Sequence, residues 1–251
     1  MRVAIAGKGG AGKTTIAATA ARLSARAGRE VVAVDADSNP NLVLALGAGG
    51  AADATAGQLP ASLVSRRFDR PGFVRPLDDV LAEHAIQAPD GVRLVTMGAP
   101  RHAEEGCLCS AHAVVSALLA ELADRPDTLT VVDMEASPEH LSRGTARHAD
   151  VLLLVAEPYY RALEAVGRLA SLAGELPISR VAVVANKVRS PDDAEAIAAY
   201  CGRHGLEQVA TMPWSDDVLA ADRAGRSVLD AAPDSALVQS VDELLTDIGA
   251  R

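Results

Sequence analysis

The amino-acid sequence predicts an α/β fold, in which residues 1–251 form a single domain around a mostly parallel sheet of seven or eight strands with helices on both faces. Three observations predict it. Seven short, near-continuous apolar runs fall at 2–6, 30–34, 92–97, 129–133, 150–156, 180–185 and 207–211. Helical periodicity with good helix formers falls at 15–27, 111–124, 160–173, 192–203 and 234–248, where Asp234 or Ser235 could cap the last helix. A glycine-rich segment is wedged between the first apolar run and the first helix. Runs that lack polar alternation mark strands buried on both faces, and parallel strands need crossovers long enough to hold a helix.

Taken in chain order, the first strand feeds Gly7-Lys8-Gly9-Gly10-Ala11-Gly12-Lys13-Thr14. Two glycines with four residues between them, followed by Lys-Thr, allow a tight turn of backbone N–H groups that can cradle phosphates. Gly9, Gly10, Ala11, Gly12, Lys13, Thr14 and Thr15 are therefore the candidate ATP/ADP-binding residues, with Lys13 reaching the β/γ-phosphates and the Thr14 hydroxyl offered to Mg²⁺. Of the 24 basic residues 21 are arginine, and two of the three lysines, Lys8 and Lys13, lie in this segment with Lys187 the third. A compact ammonium fits among crowded amides where a planar guanidinium would not, which marks Lys8 as a chemical residue as well.

The second strand ends in Asp35-Ala36-Asp37-Ser38, two acids on one side of an extended segment. One could orient an attacking water and the other hold a water on Mg²⁺; the alternative is a helix cap at Asp37 or Ser38. Residues 48–90, rich in Gly, Ala and Pro, read as an irregular insertion with short helices, and Arg66, Arg67, Arg70 and Arg75 within it as a solvated face. The run Thr130-Val131-Val132-Asp133 resembles a Walker B strand, whose acid binds Mg²⁺ through water, unless Asp133 is a turn residue at a strand end. Later strands deliver Asn186-Lys187 and Pro213-Trp214 to the same carboxyl edge, where ligands of open parallel sheets bind. Asn186 offers a carboxamide to a base edge, Lys187 its stem to base or ribose, and the sole tryptophan, Trp214, either stacks on a purine or packs.

Cys107 and Cys109 stand two apart, between His102 and His112. They supply half a metal site. A closed four-coordinate site needs one of those histidines or a second copy of the chain across a two-fold axis, and four thiolates suit Zn²⁺ when tetrahedral and Ni²⁺ when square-planar. A pair of unremarkable thiols ahead of a helix is the alternative. Cys201 reads as a small apolar helix residue, and His84, His140, His148 and His204 lack metal-like spacing.

Composition narrows the classes. A hydrophobic content of 49% supports a sizeable core, while a net charge of −9 argues against a general nucleic-acid surface. No run of 18 apolar residues and no signal-like start point to a cytoplasmic protein with neither membrane nor nucleic acid as partner.

The loop Lys8-Gly9-Gly10-Ala11-Gly12-Lys13-Thr14-Thr15 resembles the deviant Walker A of the MinD/ParA group of dimeric ATPases, and within it the chain is most similar to the CooC-type nickel-insertion ATPases of carbon monoxide dehydrogenase maturation. Asp35-Ala36-Asp37, Cys107-Leu108-Cys109, Asp133-Met134-Glu135-Ala136, Glu139-His140-Leu141-Ser142-Arg143-Gly144-Thr145, Glu157-Pro158 and Asn186-Lys187-Val188-Arg189 carry the likeness. The resemblance implies a homodimer sandwiching two ATP molecules. Lys8 would cross to the partner's phosphates, Lys13 and Thr14 serve the chain's own nucleotide, Asp37 activate water, and Thr14, Asp37 and Asp133 attend Mg²⁺. Cys107 and Cys109 would meet their symmetry mates and bind Ni²⁺, or Zn²⁺ in competition, for a client such as carbon monoxide dehydrogenase. A positioning ATPase without metal, or an iron–sulfur carrier, are the alternatives. Ser38 stands where many relatives have proline, and Ser137 where a glycine is expected.

Overall fold

A computed structural model describes residues 1–49, 57–65, 72–97 and 109–251. The strands are β1 (Arg2–Gly7), β2 (Glu30–Ala36), β3 (Ile86–Gln87), β4 (Arg93–Thr96), β5 (Thr128–Met134), β6 (Val151–Ala156), β7 (Arg180–Val188) and β8 (Glu207–Pro213). The helices are α1 (Lys13–Arg26), α2 (Leu42–Ala45), α3 (Leu77–His84), α4 (Cys109–Glu121), α5 (Glu139–Ser142), α6 (Tyr160–Ala173), α7 (Pro191–His204), α8 (Asp216–Arg223), α9 (Val228–Ala231) and α10 (Ala236–Asp247).

One sheet of 8 strands runs in the order β3-β4-β2-β5-β1-β6-β7-β8, parallel throughout except for β3, which pairs antiparallel with β4. The predicted fold class is the observed one. Side chains alternate across the central strands: Val3 and Ile5 enter one core layer with Ile16, Leu42, Val241 and Leu244, while Ala4 and Ala6 enter the other with Leu118, Leu119, Val166 and Ile197. Every residue of β5 and β6 is buried, and β6 is accordingly apolar without alternation, while β5 is apolar save for Thr128, Thr130 and Asp133. β1 lies between β5 and β6, so chain order reverses around it and a crevice opens beyond its carboxyl end.

The stretch 48–90, expected as an irregular insertion with short helices, contains α3 and, beyond that expectation, the two-residue strand β3. Pro76 precedes α3, Asp78 and Asp79 occupy its first turn against the helix dipole, and Val80 and Leu81 are buried. β3 is two residues long, too short for any pattern. Arg75, from the expected solvated face, pairs with Glu83 at 2.6 Å, whereas Arg66, Arg67 and Arg70 lie outside the described residues. Ser235 does precede α10 but makes no side-chain cap bond; its hydroxyl is buried without a partner.

Arg22, on α1, is a long cation carried into the core layer on this face. It is 2% exposed, and its Nε donates to Asp90 at 2.6 Å, its Nη1 to Asp230 at 2.7 Å and to the Leu46 carbonyl at 3.2 Å. Three separate segments are thereby tied to the helix that carries the glycine-rich loop. Truncating one partner of a buried ion group leaves the others uncompensated. Arg22→Met is expected to lower unfolding free energy by about 3 kcal/mol, moderated because Asp90 and Asp230 keep some water contact. Urea denaturation with an unchanged m-value is the measurement, and a loss under about 0.5 kcal/mol would show the network to be ornamental.

Candidate nucleotide site

Gly7 to Thr14 form a tight loop between β1 and α1. The Ala11 N–H donates to the Lys8 carbonyl at 3.1 Å, and the Lys13 ammonium, 6% exposed, approaches the same carbonyl at 3.4 Å. Gly12 sits at φ 98°, a left-handed conformation, with the Asn186 amide where a Cβ would be, so no larger residue fits. α1 begins there with no side-chain cap and no acid in its first turn. Its first N–H groups and the positive end of its dipole are left for an anion, and Lys13 adds a full charge. Lys8 differs from Lys13 in being exposed.

Beside this loop is a cleft of about 390 Å³ whose walls include Gly10, Gly12, Lys13, Thr14, Thr15, Asn186, Lys187, Pro213 and Trp214. Residues separated by nearly the whole chain thus meet in one cavity, with Val218, Leu219 and Leu237 as apolar lining. Gly9 and Ala11 belong to the loop but not to the cleft wall.

The acids divide into different tasks. Asp35 and Asp133 sit in register on neighbouring strands β2 and β5, both buried. Asp133 Oδ2 accepts the Thr14 hydroxyl at 2.6 Å, while its Oδ1 is buried with no hydrogen-bond partner. Burial, with the nearby charges of Asp35 and Asp37, pushes the Asp133 carboxyl up to about 7, opposed by the Thr14 bond and Lys13. An orphaned carboxylate oxygen beside a threonine hydroxyl and a phosphate loop is a donor set that fits Mg²⁺. Asp35 is pushed to about 6 by burial but is spent on the backbone, accepting from Leu42 N at 2.8 Å and Asp37 N at 3.2 Å. It therefore shapes the loop that presents Asp37, which is only partly buried and closes a local turn by accepting from Asn39 N at 2.8 Å. Of the two acids, Asp37 alone retains freedom to face a ligand. Glu135, named in the sequence with no role, lies near it; burial and the charges of Asp37 and Glu139 raise its carboxyl.

The residues expected to grip a base are engaged with the protein. Asn186 Nδ2 donates to the Ala11 carbonyl at 2.6 Å, leaving its oxygen and one N–H for a base. Lys187, at φ 59°, lines the cleft while its ammonium bridges the Gly10 carbonyl and Glu157, the latter at 2.9 Å. It works as a strap on the loop. Trp214 is partly buried; Arg189 lies 3.8 Å over its ring and its Nε1 donates to Asp216 at 3.0 Å, so one face is already covered by a cation. Glu157 directly follows β6 at that same carboxyl edge, which is the signal that marks it.

Cys107 lies outside the described residues, and Cys109 is the first residue of α4. Cys201 is buried in α7. His112, one candidate for completing a cysteine site within one chain, is instead buried 4.5 Å from the His140 ring. Among the described residues no group of three or more His, Cys, Asp and Glu side chains is arranged to hold a metal ion. No helix among them is long and apolar enough to cross a membrane.

Comparison with known proteins follows the same lines. Residues 3–228 match the CobQ/CobB/MinD/ParA nucleotide binding domain. The carbon monoxide dehydrogenase accessory protein CooC of Rhodospirillum rubrum is 34% identical over 243 residues, covering 93% of this chain and 91% of that protein. An uncharacterized ATP-binding protein of Methanocaldococcus jannaschii is 32% identical over 242 residues, covering 91% of each. Among solved structures, the septum site-determining protein MinD of Pyrococcus horikoshii, complexed with Mg-ADP, superposes with a TM-score of 0.68 at 20% identity, covering 99% of this chain and 96% of that one. MinD of Aquifex aeolicus gives 0.73 at 16% identity, covering 100% and 98%.

The Asp133 carboxyl titrates at about 7 in the fold against 3.8 in the unfolded chain, so the folded state holds an extra proton between those values. Its contribution to the stability of nucleotide- and Mg²⁺-free protein therefore falls as pH rises through that window. Asp133→Asn keeps an acceptor for Thr14 and removes the charge. Urea melts are expected to show variant and wild type similar near pH 4.5 and the variant more stable by about 2 kcal/mol at pH 8. A pH-independent difference would contradict the buried-charge assignment.

Proposed function

Because the chain belongs to the CobQ/CobB/MinD/ParA nucleotide-binding family, we propose that it is an ATP-hydrolysing, dimeric metallochaperone that carries nickel, with zinc as competitor, to carbon monoxide dehydrogenase or a similar metalloenzyme. The observation that carries this reading is the likeness to CooC, which spans nearly the whole of both chains rather than the phosphate loop alone. Cys107-Leu108-Cys109 supports it from the sequence. A positioning ATPase that grips a membrane would want a basic amphipathic face, whereas α10 carries Asp242, Glu243 and Asp247.

In this reading the phosphates lie on the bare N–H groups at the start of α1, with Lys13 on the β/γ oxygens. Thr14 and Asp133 hold Mg²⁺, with Asp37 beside them; when bound, the ion neutralises charge that builds on the phosphate oxygens. Asn186 and Pro213 border the base, and Trp214 closes that end through its free face. Asp37, held out by the Asp35 anchor, orients the attacking water. Lys8 serves the phosphates of the partner subunit, since phosphoryl transfer is governed by positioning and charge and an exposed cation on the loop is available to a second copy. Loss of the γ-phosphate then loosens the dimer that holds the metal cargo between Cys107, Cys109 and their symmetry mates.

Two measurements test this. Anaerobically purified protein is expected to carry one nickel or zinc per dimer by native mass and elemental analysis, and the Cys107→Ala/Cys109→Ala double variant none; iron and a coloured protein would favour the cluster carrier instead. Lys8→Ala is expected to lose ATP-driven dimerisation and about 100-fold or more in turnover while still binding ATP. Undiminished turnover would refute its action across the interface.

A further inference from the structure

Two histidines that this chemistry does not use lie buried between the nucleotide edge and the helix that begins at Cys109. His140, in α5, is 1% exposed, and its Nε2 stands 2.6 Å from the Ala36 carbonyl. A carbonyl only accepts, so Nε2 carries the proton, and the neutral ring is left with a bare Nδ1 that has no partner. His112, in α4 three residues after Cys109, is 4% exposed, and neither of its nitrogens makes a hydrogen bond; Glu139 Oε2 lies 3.5 Å from Nε2 without alignment. The rings meet at 4.5 Å and 60°. Both stay neutral: burial holds His140 down to about 4, aided by His112 and opposed by Asp37 and Glu139, and burial with Arg143 lowers His112 against Glu139.

Buried polar nitrogens without partners are costly, and two leucines would pack there without that cost. What imidazole adds is a hydrogen bond to Ala36, the residue directly before Asp37. We propose that His140 and His112 are a mechanical link that passes the state of the Asp37 loop to the helix headed by Cys109, with His140 as a positioning residue. The link rests on the reading that Asp37 and Cys109 serve one ATP-driven cycle. Its parts are fixed at both ends. The Ser137 hydroxyl accepts from Glu139 N at 3.3 Å and so sets the start of α5, while His112 is embedded in α4. A shift of Ala36 must break its bond to His140 or carry that ring with it, and a close-packed interior hands the displacement to His112.

The test uses full-length, metal-free protein with Cys201→Ser, so that Cys107 and Cys109 are the remaining thiols. Their rate of alkylation by N-ethylmaleimide is compared in Mg-ADP and in Mg²⁺ with a non-hydrolysable ATP analogue. The expected ratio between the two states is about fivefold or more, the lower end of ordinary coupling between sites. His140→Leu and, independently, His112→Leu should bring the ratio close to one with nucleotide affinity unchanged, whereas His140→Gln, which keeps an N–H for Ala36, should preserve it. Equal rates in the parent protein, or a full ratio surviving in His112→Leu, would overturn the link. Because the readout needs no metal, its failure is separable from that of the proposed function: a normal ratio pattern in a protein that binds no metal leaves the link standing and removes the chaperone.

Discussion

The structure depends on bringing negative charge out of water at the end of its central strands. Asp35 and Asp133 lie side by side on β2 and β5, and each is raised in pKa by its burial. Such acids persist only where each is given donors. Asp35 takes two backbone N–H groups from the loop it bends, and Asp133 takes Thr14. The second oxygen of Asp133 is left for a cation, and the phosphate loop lies directly beside it. The charge that destabilises the empty protein is the charge that recruits its ligand, a common exchange of stability for function.

That arrangement explains the placement of the lysines. Lys13 is drawn inward, and Lys187 reaches across from β7 to hold Gly10 from outside the loop. Glu157 completes the strap at the end of β6, so three strands contribute to keeping a glycine-rich segment in one shape. A flexible loop would lose conformational freedom on binding phosphate; this one has lost it on folding, and the anion meets a cradle already formed. Arg22 secures the same unit from behind by tying α1 to the segments bearing Asp90, Leu46 and Asp230.

Fold and phosphate chemistry were legible in the sequence because both leave local marks. Apolar runs report strands buried twice over, and Gly-x-x-x-x-Gly-Lys-Thr specifies a backbone shape that few residues allow. What the sequence hid is relational. Lys187 reads as a cover for a base, and nothing local says that its ammonium also reaches back to Gly10 of the loop and to Glu157. Asp35 and Asp37 looked like equals, and only the fold of residues 37–42 shows that one is an anchor. α3 is one of the short helices expected in 48–90, and its bounds were hidden because its eight residues include three acids and a histidine, with burial confined to Leu77, Val80 and Leu81. His140 was dismissed for lacking ligand spacing, and its partners Ala36 and His112 are 104 and 28 residues away, beyond any window of periodicity.

Lys8 makes the last step of synthesis. Its carbonyl accepts from Ala11 and stands within reach of Lys13, so its backbone is fully committed to the loop, while its ammonium is exposed. A cation facing outward gains little from its own chain, since an exposed charge in water is well solvated. Its electrostatic value rises only when a second surface excludes that water and brings an anion to it. Phosphate bound by another copy is such an anion. On the proposed dimeric reading, the loop's two lysines have opposite dispositions, Lys13 buried in the chain's own cradle and Lys8 exposed toward a second copy, and nucleotide becomes a condition for the dimer rather than a passenger in it.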